Sequence, residues 1–187
     1  MDDAGALTDE ELITAFRMDG MPHHLDILFL RYIEKVRGMV YQMVLHDADA
    51  DDVTQEIFSR VARNISKFRG GAAFSTWLYR VAMNCANTFL SKKNRNPVSP
   101  RSEIPDLQDY HGTQPDQILA GQEMDTQIQK ALAKLTPKLR AAVILTIIQG
   151  VSLPEAAHIE GCAIPTMYWR VHEARRNLKM WLQEDLS

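Results

Sequence analysis

Two stretches of this sequence carry side chains suited to holding nucleic acid, and a third carries side chains suited to holding a protein. Phe74, Trp77, Arg80 and Asn84 recur at three- and four-residue steps and are followed by Lys92, Lys93 and Arg95. Rings interleaved with cations suit a single strand, whose unpaired bases stack on aromatic faces or enter pockets while positive charge tracks the backbone. Trp77 shares its stripe with Val81 and Cys85 and so also fits a core, which leaves Arg80 and Asn84 as the better outward candidates. Further along, Thr166, Tyr168, Trp169, Arg170, His172, Glu173, Arg175 and Arg176 mix guanidinium groups with rings and one carboxylate. Arginine bonds guanine bidentately or pairs with phosphate, and Glu173 could accept from a cytosine amino group. The third set is acidic. Asp51, Asp52, Gln55 and Glu56 continue beyond the first turn of a helix, further than dipole compensation requires, and suit a protein partner with a basic docking surface.

Helices must position all three sets. Thr8-Asp9-Glu10-Glu11 reads as a capping box opening a short helix through Phe16. From Leu25 the set Leu28, Phe29, Tyr32, Ile33, Val36, Val40, Met43 and Val44 marks one face of a long helix. Val53, Ile57, Phe58, Val61 and Ile65 form the buried side of the next, which Gly70-Gly71 stops. A fourth runs from about Ser75 to Lys93. Residues 96–115 hold Pro97, Pro100, Pro105 and Pro115 among polar residues, the composition of a linker. Beyond it, Ile118 to Leu135 reads as helix, and Thr136-Pro137 caps another that ends at Gly150. Ser152-Leu153-Pro154-Glu155 reads as a second capping box, followed by a turn at Gly161 and a last helix from about Pro165 to Gln183. Helix, short glycine turn and second helix form the pattern of a DNA-binding helix-turn-helix. With Met167 at the centre of the buried face, Val171, Ala174 and Leu178 lie within about 40° of it at 100° per residue. Trp169, His172, Glu173 and Arg176 then point outward, flanked by Tyr168, Arg170 and Arg175. No strand-like alternation occurs, and the class is all-α in two small helical modules.

The 187 residues carry a net charge of −3 that hides strong segregation. Residues 47–56 hold five acids and no base, whereas residues 57–95 hold eight Lys/Arg and no Asp or Glu. Residues 101–129 return to acid, and 130–187 carry a net +3. Steering depends on local potential within a Debye length of about 8–10 Å, so the overall negative charge does not argue against nucleic acid. No apolar run approaches the roughly 18 residues of a membrane span, and the acidic start differs from a secretory signal, so a cytoplasmic protein without membrane insertion is expected. Cys85 and Cys162 are too few and too far apart for a disulfide framework. The chain has no phosphate-binding glycine loop, nucleophile elbow or dense carboxylate cluster, so an enzyme is not expected. His158, Cys162 and His172 are too scattered to predict a metal site, and no cofactor is implied.

The strings DADADDVTQEIFSRVARNISKF (47–68), FSTWLYRVAMNCANTFLSKKNR (74–95) and LAKLTPKLRAAVILTIIQGVSLPEAA with PTMYWRVHEARRNLK (132–157, 165–179) resemble, in order and spacing, the extracytoplasmic-function sigma factors of the sigma-70 family. The resemblance implies an acidic N-terminal extension (1–23), a region 2-like helical bundle (24–95), a flexible linker (96–121) and a region 4-like helix-turn-helix domain (122–187). It further implies a transcription initiation factor for bacterial core RNA polymerase. Asp51, Asp52, Gln55 and Glu56 would dock on polymerase. Phe74, Trp77, Arg80 and Asn84 would capture the melted minus-ten strand, and the last helix would read the minus-thirty-five duplex. An anti-sigma factor is admitted as a further partner. Tyr168, Trp169 and Glu173 depart from the family's usual residues, so its base preferences do not carry over to this helix. The rival reading is a stand-alone helix-turn-helix regulator, which accounts for residues 152–179 but leaves the 47–95 constellation idle.

Overall fold

The computed structural model of the protein describes residues 7–95 and 127–184. Among them every regular element is helical. Helix α1 (Asp9–Asp19) opens on the expected capping box: the Thr8 hydroxyl accepts the Glu11 N–H at 3.2 Å, and the Glu11 carboxylate accepts the Thr8 N–H at 2.7 Å. Gly20, at φ 70°, ends it. Helix α2 (Pro22–Val44) starts with proline at its first position, where a missing N–H costs nothing. Helix α3 (Asp47–Asn64) is capped by His46, whose ring nitrogen accepts the Asp49 N–H, and tightens into a 3₁₀ turn over Ile65–Lys67. Helix α4 (Phe74–Arg95) follows. Residues 127–134 form α5, and α6 (Pro137–Val143) widens into a π turn over Ile144–Ile148. Helices α7 (Leu153–Glu160) and α8 (Ile164–Glu184) complete the chain.

Helices α2, α3 and α4 pack on one another, with α1 laid on α2, around Leu12, Leu28, Val40, Ile57, Val61 and Leu78. All six are buried. The long stripe expected on α2 is present, but Ile33 lies at its exposed edge and Met39, absent from the expected stripe, is fully buried. Met39 faces the second half of the chain. Together with Met43, Met83 and Ala86 it packs against Ile144, Leu145, Ala156 and Ile159. The two modules therefore share a core among the described residues. The linker expected over 96–121 lies outside the described residues.

Arg140 adds a polar pin to that shared core. Its guanidinium is buried and donates to the carbonyls of Leu132 (2.9 Å), Ala133 (3.0 Å) and Leu135 (3.2 Å), and across the module boundary to that of Met43 (2.5 Å). These carbonyls cluster at helix C-terminal ends, where orphaned oxygens and the helix dipole favour a cation. Burial pushes the guanidinium's pKa below its ordinary value, and the carbonyl oxygens supply the partners that desolvation removes.

Candidate nucleic-acid interface

The acidic candidates line the outer side of α3, because Val53, Thr54, Ile57 and Phe58 take the buried side. Asp51, Asp52, Gln55 and Glu56 are all exposed. Their charges are not equally available. Arg37 donates to Asp51 (2.6 Å) and Asp47 (2.9 Å), and Arg60 donates to Glu56 (2.5 Å), which holds that carboxyl below its ordinary range. Among the described residues Asp52 and Gln55 have no polar partner.

Residues 67–72 and the start of α4 enclose a cleft of about 300 Å³, lined by Lys67, Arg69, Trp77 and Arg80 among others. None of these cations pairs with a carboxylate among the described residues; Lys67 donates to the Asn64 side-chain oxygen at 3.0 Å. One wall comes from α7, through His158. A second groove, of about 450 Å³, runs along the exposed side of α4 between Asn84, Asn87, Thr88, Ser91, Lys92 and Arg95. Trp77, Arg80 and Asn84 thus lie along one helix, the first two in the cleft and the third in the groove.

Phe74 is corrected. It is 1% exposed and packs edge-on to Tyr32 (5.5 Å between centroids) and Phe68 (5.8 Å), so it supports the cleft from beneath and presents no face to a strand. Sequence reasoning missed Lys67 and Arg69 as cleft residues, although their place in the carboxylate-free run was a signal. His158 had no such signal, because it reaches the cleft through packing between modules, whereas Asn87 stands one helical turn from Asn84 and was open to the same periodic reading.

Helices α7 and α8 form the helix-turn-helix, joined by a turn in which Gly161 adopts φ 62°. The buried side of α8 is Met167, Val171 and Ala174, as the helical period requires. Thr166, Tyr168, Trp169, His172, Arg175 and Arg176 are exposed, and Glu173 is half-buried and accepts from Arg176 at 2.6 Å. Arg170 is a second correction. Placed by period beside the outward face, it turns inward, is 9% exposed and pairs with Glu160 at 3.3 Å. The Glu160 side chain is itself only 6% exposed; desolvation pushes its carboxyl above the ordinary range despite Arg170 and the Asn87 side-chain hydrogen bond. The second capping box is half formed. Ser152 accepts the Glu155 N–H, but the Glu155 carboxylate accepts the Thr76 hydroxyl of α4 and not the Ser152 N–H.

The family model described as Sigma-70 region 2 matches residues 28–96, and that described as Sigma-70, region 4 matches residues 125–178. An RNA polymerase sigma-H factor of Pseudomonas aeruginosa is 30% identical over 183 residues, covering 94% of each chain. An ECF RNA polymerase sigma-E factor of Haemophilus influenzae is 30% identical over 187 residues, covering 96% of this chain and 98% of the relative. The chain belongs to the extracytoplasmic-function sigma factors. Sigma factors of this group are transcription initiation proteins, and this one carries both of their modules in the family order. Region 2 takes in most of α2 with α3 and α4, and region 4 takes in α6, α7 and most of α8; α1 precedes both matches.

The fold of this sigma factor is also found in solved structures. The structure of CnrH in complex with the cytosolic domain of CnrY aligns with a TM-score of 0.70 at 21% identity, over 95% of this chain and 99% of that one. The sigma factor RpoE of Bartonella quintana, solved with the anti-sigma factor NepR, aligns at 0.69 with 24% identity, over 84% of this chain and 96% of that one. Among the described residues no cluster of His, Cys, Asp or Glu could hold a metal ion, and no helix is long and apolar enough to cross a membrane.

Proposed function

We propose that this sigma factor binds bacterial core RNA polymerase through the outer side of α3 and directs it to promoters in the cytoplasm. The α4 cleft and groove capture the melted minus-ten strand, and the exposed side of α8 reads the minus-thirty-five duplex. Residues 24–95 and 122–187 act as the two domains, joined through 96–121.

The observation that carries this reading is the cleft holding Lys67, Arg69 and Arg80 beside Trp77 with no carboxylate, in the same module as an exposed acidic helix side. Three unpaired cations around a ring suit a nucleotide's phosphates and base, and one strand can continue from the cleft into the groove at Asn84. Asp52 is the acidic group most available to a basic polymerase surface. An anti-sigma factor belongs to this reading as a second protein partner, because RpoE of Bartonella quintana was solved in complex with the anti-sigma factor NepR.

Co-purification with core polymerase tests the docking side. Asp52→Arg should fold normally and lose core association, because like charges brought together at an interface cost several kcal/mol. A folded Asp52→Arg protein that still assembles with core at wild-type affinity contradicts the assignment. Specific duplex binding with no polymerase association at all would favour a stand-alone regulator.

A further inference from the structure

Helix α1 lies ahead of the residues matched by region 2, yet it is joined to the loop that walls the cleft. Leu12 and Ile13 bury its inner side in the first core, and Asp9 accepts hydrogen bonds from Arg31 and Tyr32 on α2. Arg17, in its last turn, reaches the end of α3. One guanidinium nitrogen donates to the carbonyls of Ile65 (3.1 Å), Ser66 (3.4 Å) and Phe68. These belong to the 3₁₀ turn and the residue after it, where the chain leaves the helix; the Ile65 carbonyl also accepts the Phe68 N–H at 3.1 Å, and those of Ser66 and Phe68 lie beyond the last intrahelical donors. The same point is the negative end of the α3 dipole, so a cation there is doubly favoured.

What Arg17 holds, the cleft uses. Ser66 and Phe68 flank Lys67, and Phe68 precedes Arg69, so fixing their carbonyls fixes the stem from which both cations enter the cleft. The Phe68 ring is 6% exposed and lies 5.6 Å from the Trp77 ring and 5.8 Å from that of Phe74. Gly70, at φ 72°, then turns the chain back toward α4. Beyond Phe68 the loop has few anchors of its own, so the contacts at 65–68 set where Lys67, Arg69 and Trp77 stand relative to one another.

We propose that α1 is a buttress of the single-strand cleft, and that Arg17 is the positioning residue that sets the 65–73 loop for strand capture without touching the strand. This rests on the proposed reading of the cleft as the minus-ten site.

The test uses the full chain assembled with core polymerase and a fluorescent single-stranded DNA selected from a random pool by the wild-type holoenzyme. Arg17→Ala should weaken strand binding about tenfold, the scale of one lost charge-assisted contact, while core affinity stays at the wild-type value. Arg17→Lys, which still donates to carbonyls, should recover part of the loss. Thr8→Ala, which removes the α1 cap on the far side from the loop, should lower the thermal midpoint and leave strand affinity unchanged. Iodide quenching of Trp77, followed with Trp169 and Trp181 replaced by Phe, should change in Arg17→Ala and not in Thr8→Ala.

If Arg17→Ala binds the strand within about twofold of wild type while Asn84→Ala loses it, the buttress is refuted and the cleft reading stands. Equal losses in Arg17→Ala and Thr8→Ala would refute it as well, by reducing the effect to stability. Failure of the wild-type holoenzyme to select any strand would overturn both.

Discussion

Arg170 and Arg175 sit on the same helix five residues apart and answer to different partners. Arg170 is withdrawn into a buried pair with Glu160, so Arg170→Ala leaves a buried carboxylate without its cation and should cost about 3 kcal/mol of stability in a denaturation series. Arg175 is exposed and has no partner among the described residues. Arg175→Ala should leave stability alone, weaken duplex binding across all sequences and reduce the slope of log affinity against log salt by about 1. A reversal of these two patterns would mean that the ion pair opens in solution. Glu160 adds a pH signature. Its folded carboxyl is held above the ordinary value of 4.5, so the folded state keeps a proton that the unfolded state has already released. Its contribution to stability is therefore full below that value and is lost as pH rises through the higher, folded one. Glu160→Gln should remove that segment of the stability–pH curve.

At the level of the helices, local signals carried most of the fold. Thr8 with Glu11, Pro137 and Gly161 all stand where capping and backbone preference place them, so these starts and turns were legible. Period alone also separated Met167, Val171 and Ala174 from Tyr168 and Trp169 on α8. What was not legible arises from contacts distant in sequence. Nothing near Glu155 says that its carboxylate turns to Thr76, and nothing near Arg170 says that Glu160 waits across the turn. Phe74 and Trp77 are both aromatic at the start of α4 and both touch Phe68, and only the burial of the first, 1% exposed against a half-buried Trp77, shows which one is core. The Gly161 turn offers a clean test of the backbone argument. A Cβ there meets nothing within 4 Å, so Gly161→Ala should cost only the left-handed conformation, about 1–2 kcal/mol, and leave α7 and α8 packed as before. A neutral Gly161→Ala would show that the turn relaxes to another conformation.

Across the whole molecule, the shared core sets a geometric condition on function. Helix α4 packs on α7 and α7 on α8, so at 8–10 Å per packed pair the two helices proposed to hold nucleic acid lie within about 20 Å of each other. Minus-ten and minus-thirty-five elements are separated by roughly 25 base steps, about 85 Å at 3.4 Å per step. Reading both at once requires the modules to part, breaking the Arg140–Met43 and Thr76–Glu155 bonds and exposing Met39, Met43 and Met83. Energy transfer between dyes on α3 and α8 should be high in the free protein and fall in the promoter-bound holoenzyme; unchanged transfer in a transcribing complex would contradict the proposed assignment of the two helices. The central claim, that this sigma factor directs polymerase to promoters, is tested most directly by run-off transcription with purified core enzyme on a library of genomic fragments. Core alone should give no defined start sites, and core with the protein added should give a discrete set whose upstream sequences share one minus-ten and one minus-thirty-five motif. Starts that are the same with and without the protein would contradict that claim.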